Sequence, residues 1–244
     1  DGGSIAIAQV LEALLDQGCH VTFLCMETDK HPSQKSVTKT NLNYKAIYVN
    51  TNLKIASALS NMFTKQSYIL SRFNQKVFRE AIKKILKTHT FDTILFESLF
   101  TSAYLNTVNE HSKAKKFYRA HNIEHHIWFE QSNQNKNIFK KWYLKIQAER
   151  LKNEEIKFWN NINSILSISE TDRAHIIKQC PTPTYTLGQH TEKRHLEHKD
   201  QSKKVDFFHL GAMDWLPNQD GINWILKDVF PKVKQSEKSA ELHL

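Results

Sequence analysis

The feature that most constrains this chain is a repeated exchange between two hydrophobic periods. Short apolar runs of strand character occur at 20–25 (HVTFLC), 45–49 (KAIYV), 91–96 (FDTILF), 116–120 (KFYRA), 164–169 (SILSIS) and 184–187. Between them lie longer stretches in which apolar residues recur every three or four positions, the spacing of a helix. The FDTILF run is nearly continuous in apolar character, as a strand covered on both faces of a parallel sheet would be. Parallel neighbours cannot be joined by a tight hairpin and need a crossover, usually a helix. The alternation therefore predicts an α/β chain built on a doubly wound parallel sheet.

The first predicted helix, 4–17, has an apolar stripe of Ile5, Val10, Leu11, Leu14 and Leu15, and Gly18 stops it. Because it precedes the first strand, a further strand is expected upstream of Asp1. Helices are also expected at 52–62, 72–87, 98–108, 137–159 and 170–179, the last with Ser169 as its N-cap. Residues 188–204 (GQHTEKRHLEHKDQSKK) are polar and aperiodic and read as a linker. After it, an apolar run stops at Gly211, Pro217-Asn218 opens a helix, and 241–244 reads as the next strand. The expected organisation is one Rossmann-like domain over 1–187, the linker, and the start of a second over 205–244.

The chain has 244 residues and a net charge of +9. That balance favours phosphate-rich partners, including nucleotides and anionic lipid. Nucleic acid is not expected, since no RRM, KH, helix-turn-helix or zinc-finger signature is present. No apolar run approaches the roughly 20 residues of a membrane span. Cys19, Cys25 and Cys180 form no CxxC pair, which fits a reducing, cytoplasmic setting.

Four segments could carry chemistry. Asp1-Gly2-Gly3-Ser4 precedes a helix, where glycines allow close approach and free N–H groups attract anions. His121-Asn122-Ile123-Glu124-His125-His126 follows a strand expected to be central, where α/β sheets place their ligands, and Glu124 could orient an imidazole. The same segment matches H-x-x-E-H, a zinc hydrolase motif, if His121 and His125 share one helix face. Around 137–159, Phe139, Trp142, Tyr143 and Ile146 lie near Lys136, Lys140, Lys141 and Lys145. Two readings fit that stretch: a core-facing stripe with solvated lysines, or peripheral attachment to an anionic membrane face. Ser167 to Asp172 reads as a strand running into a capped, acidic helix start.

Three of these pieces and the strand-loop-helix around Gly211 together resemble glycosyltransferase family 4, of the two-Rossmann-domain GT-B type. They are DGGS, RAHNIEHHIW, LSISETDRAHI and HLGAMDWLPNQDGINWIL. The second resembles the R-x-H-N-x-E segment of a bacterial subgroup, and the last the start of that subgroup's second domain. The resemblance implies retaining transfer of a sugar from a nucleotide diphosphate sugar to a polysaccharide or lipid-linked acceptor. It implies no metal or other cofactor. It also implies work at the cytoplasmic membrane face.

By the same resemblance, His121 would be catalytic, facing the reacting sugar. Gly2, Gly3, Asn122 and Glu124 would bind substrate from the first domain, with Gly211 and Asn218 on the donor side. The family's Arg and Lys near the start of the second domain are missing, since 213–218 reads MDWLPN. Its E-x7-E donor motif is expected beyond residue 244, so residues 1–244 alone are expected to be inactive. A zinc hydrolase, a non-catalytic nucleotide or anionic-surface module, and a sugar-nucleotide epimerase are the alternatives the same sequence allows.

Overall fold

The computed structural model describes residues 2–29, 39–188, 206–211, 213 and 216–244. The chain divides near residue 190 into two compact units.

The larger unit is built from parallel strands and intervening helices. Helix α1 (Gly2–Asp16) leads to strand β1 (Val21–Glu27), which pairs in parallel with β2 (Leu42–Tyr48). Three helices follow: α2 (Ile55–Asn61), α3 (Tyr68–Ser71) and α4 (Lys76–Thr88). Strand β3 (Thr93–Glu97) runs through a 3₁₀ stretch, Leu99–Tyr104, into α5 (Leu105–His111). Strand β4 (Lys115–Ala120) is followed by α6 (Glu124–Gln134), α7 (Ile138–Trp159), β5 (Ser164–Ser167), α8 (Glu170–Ile176) and β6 (Thr184–Thr186). Strands β3-β4-β5-β6 form a second sheet, all parallel and in sequence order.

The core lies between this four-stranded sheet and the helices on it. Phe96, Tyr118 and Ile165 from the strands meet Leu151, Phe158 and Trp159 of α7 and Ile176 of α8. Phe158 stacks edge-on against both Phe96 and Tyr118. The buried positions of α7 are 147, 148, 151, 155, 158 and 159, one helical stripe confined to its C-terminal two-thirds. Truncating a fully buried leucine such as Leu151 to alanine typically costs about 2–5 kcal/mol. A smaller cluster of Val49, Phe78 and Tyr104 packs with Leu24 and Met26 on the β1–β2 sheet.

The smaller unit is a strand-helix-strand crossover. Strand β7 (Asp206–Phe208) pairs in parallel with β8 (Glu241–His243). Between them run α9 (Leu216–Trp224), a π-helical stretch (Ile225–Val229) and α10 (Phe230–Ser236).

Several sequence expectations shift. Helix α1 begins at Gly2, so the two glycines sit in its first turn rather than in a loop before it. The first-turn N–H groups lack intrahelical partners in any case. The expected helix at 98–108 splits, because Ser98 takes φ 70° and ψ 150° and turns the chain sharply after β3. Residues 124–134, given no element by periodicity, are helical. Asp1 and the linker residues 189–204 lie outside the described residues, as do Ala212, Asp214 and Trp215 of the second unit's loop.

Candidate functional site

Parallel strands all point their carboxyl ends the same way, so the residues leaving β3, β4 and β5 collect along one edge of the four-stranded sheet. The β3–β4 register pairs Glu97 with Arg119. Two residues beyond Arg119, His121 turns back: its Nε2 lies 2.6 Å from Glu97 Oε2. Arg119 Nη1 lies 3.7 Å from the other carboxylate oxygen of Glu97. Glu97 thus sits between a buried guanidinium and a half-buried imidazole. With Nε2 held by the carboxylate, Nδ1 is the ring nitrogen left for a ligand.

Three features fix this geometry. Arg119 is fully buried and donates from Nη1 to the Ala6 carbonyl of α1 at 2.8 Å, tying the glycine-bearing helix to β4. Ser98 N–H donates to the Arg119 carbonyl at 3.3 Å. Ser98 also holds the only positive φ of a non-glycine residue among the described residues. It falls in a region that is nearly glycine-only, a cost of about 1–3 kcal/mol that recurs at functional sites.

The next residues form a second, buried network. Asn122 is exposed and its side chain hydrogen-bonds Glu124. Glu155, fully buried on α7, accepts the Glu124 and His125 backbone N–H groups at 3.1 and 3.0 Å. It thereby caps the first turn of α6, and His125 Nδ1 lies 2.7 Å from the same carboxylate. Burial pushes the Glu124 and Glu155 carboxyls up to about 7, and the neighbouring Glu155 charge adds to the rise at Glu124. Burial pushes His125 down to about 4. His126 and His175 are also lowered, burial first and neighbouring imidazoles second.

The structure corrects the H-x-x-E-H reading. His121 lies before α6 and engages Glu97, whereas His125 lies within α6 and engages Glu155. The two imidazoles do not share a helix face. Glu124 orients neither of them, and its carboxyl is buried rather than presented to solvent. The orienting carboxylates are Glu97 and Glu155, which are distant in sequence and were not among the expected site residues. Nothing local in the sequence marks either: the expected strand ends at Phe96, and only the β3–β4 register sets Glu97 level with Arg119.

In the smaller unit, Gly211 and Asn218 do come together. A Cβ on Gly211 would lie 2.7 Å from His209 Nε2 and 2.8 Å from Asn218 Nδ2, so only glycine fits there without displacing those side chains. Of the expected residues, Gly2 and Gly3 lie in α1, and His121, Asn122 and Glu124 follow β4. Gly211 and Asn218 belong to the separate unit.

The aromatic stretch of α7 is not core-facing at its start. Phe139 and Trp142 are 85% and 57% exposed, and Phe63 beside them is 95% exposed. They line an open apolar depression of about 550 Å³ with Leu59, Met62 and Tyr143. The segment carrying Met62 and Phe63 is clamped from α7. Arg150 donates to the Asn61 and Met62 carbonyls, both at 3.0 Å, while Gln147 and Glu154 accept the Tyr68 and Ser67 N–H groups. Among the described residues no helix is long and apolar enough to cross a membrane. No protein-family model matches the chain, and no curated protein matches it.

Proposed function

We propose that the chain carries the acceptor-side domain and the beginning of the donor-side domain of a retaining GT-B glycosyltransferase. Its substrate is a nucleotide diphosphate sugar, and its acceptor a polysaccharide or lipid-linked glycan. The observation that carries this reading is the Glu97–His121 pair at the carboxyl edge of a parallel sheet. Support comes from a second parallel strand-helix-strand unit and from the crowded glycine at the end of its first strand. In this reading His121 hydrogen-bonds the donor sugar or stabilises charge developing as the nucleotide diphosphate departs, and Glu97 fixes the ring. The test is transfer of labelled sugar by the full-length protein. A protein that binds nucleotide sugars without transferring them would be the non-catalytic module instead.

The acceptor side would work against an anionic membrane face. The apolar depression around Phe63, Phe139 and Trp142 is bordered in sequence by exposed Lys54, Lys65, Lys136, Lys140, Lys141 and Lys145. Aromatic side chains at headgroup depth and lysines facing phosphates are the two contributions that hold a protein on such a surface. Vesicle co-sedimentation tests it.

A further inference from the structure

Outside the Glu97–His121 site, three imidazoles converge where α6 begins and α8 runs. His125, His126 and His175 each offer one ring nitrogen, and these nitrogens lie within 4.8 Å of one another. They are the only such group of three among the described residues. Their rings are in contact, with centroids 4.7 Å apart for His125 and His126 and 4.1 Å for His126 and His175.

Two further features suit a cation. His125 is backed by Glu155, which is itself fully buried and lies 2.7 Å from Nδ1. A carboxylate behind one ring nitrogen fixes the tautomer and leaves the other nitrogen's lone pair outward, the usual support of a metal-binding histidine. An open depression of about 510 Å³, lined by His126, His175, Asp172 and Glu170, then gives access from solvent.

We propose that His125, His126 and His175 form a binding site for a late first-row divalent cation, Zn²⁺ in the first instance, with the remaining position open to water. Imidazole ligands favour zinc and its neighbours over Mg²⁺ or Ca²⁺. Tetrahedral zinc holds imidazole nitrogens at about 2.0–2.1 Å, and so about 3.3 Å from one another. His126 is exposed and His175 half-buried, so both rings are free to close by side-chain rotation onto the fixed His125. His175 must also give up its contact with Gln179, in the turn that follows α8. Bound metal would cross-link α6 to α8. The site goes beyond the glycosyl-transfer reading and does not depend on it.

The experiment is a Zn²⁺ titration of chelator-stripped protein, with no substrate present, read by calorimetry and by the visible absorption of Co²⁺ as a replacement. The expected result is one Zn²⁺ per chain, a higher Tm on loading, and a Co²⁺ spectrum of tetrahedral type. His126→Ala and His175→Ala lie near the surface and should melt like the unloaded parent. Each removes a direct ligand and should weaken binding by at least the roughly tenfold that loss of an outer-shell partner costs. No stoichiometric binding, or binding unchanged in both variants, would overturn the site.

Discussion

Glu97 Oε2 and His121 Nε2 lie 2.6 Å apart, although 24 residues separate them in sequence. The contact exists because β3 and β4 are parallel and in register, so that the residue ending one strand meets the loop leaving the next. An imidazole held this way has one nitrogen committed and one free, which is the arrangement a positioned hydrogen-bonding or proton-transfer group needs.

Glu97→Gln keeps the shape of the contact and removes the charge. It is expected to lower kcat for sugar transfer by roughly tenfold to a hundredfold, with KM for the donor little changed. A rise in KM alone would make Glu97 a binding group and not a positioning one.

Ser98 is strained in the turn after β3. Ser98→Gly relieves that strain and is expected to raise stability by about 1 kcal/mol, measured by urea denaturation. The gain is net of glycine's greater freedom in the unfolded chain. A clear loss of stability would mean that the Ser98 side chain is needed for more than its backbone shape.

How much of this was legible beforehand follows from the range of the interactions. Strands β3, β4 and β5 were readable within one or two residues, because a buried parallel strand leaves a short apolar run. The Ser169 cap was readable because capping is local, and its Oγ does accept the Asp172 N–H at 3.0 Å. Helix α6 was not. Its opening residues are polar, and the first turn is capped by Glu155, 31 residues further along. The same holds for the roles of Glu97 and Arg119, which only strand register brings together. The start of α7 misled for another reason: aromatics at helical spacing describe a face, but not whether another element covers it.

That exposed face gives a third expectation. Phe63→Ser with Trp142→Ser should abolish most co-sedimentation with vesicles of one part phosphatidylglycerol to three parts phosphatidylcholine. Binding of the parent should fall as salt rises and be weak on phosphatidylcholine alone. Equal binding to neutral vesicles would remove the lysines from the argument.

Glu154 gives a pH test. Burial holds its carboxyl above the ordinary range, against the opposing pull of the Ser67 N–H, Lys157 and Arg150. Its folded value is raised, so its contribution to stability is full below the ordinary carboxyl range. That contribution is lost as pH rises through the raised value. Glu154→Gln can still accept the Ser67 N–H, now bonded at 3.0 Å, and does not titrate. The Tm of Glu154→Gln relative to the parent should therefore be higher near about pH 7 than near about pH 4. A pH-independent difference would contradict this.

In the smaller unit, Gly211→Ala should leave the circular dichroism of the protein unchanged but displace His209 and Asn218, because the new methyl occupies their space. The expected readout is weaker nucleotide diphosphate sugar binding in the full-length protein, by about tenfold or more. Undiminished binding would place the donor elsewhere.

The most direct measurement is a transfer assay of full-length protein and its His121→Ala variant. It would use a panel of radiolabelled nucleotide diphosphate sugars with extracted glycolipid acceptors. The expected result is transfer with retained anomeric configuration by the parent and a loss of at least about a hundredfold in the variant. Absence of transfer from every donor, or equal rates for parent and variant, would contradict a glycosyltransferase built around His121.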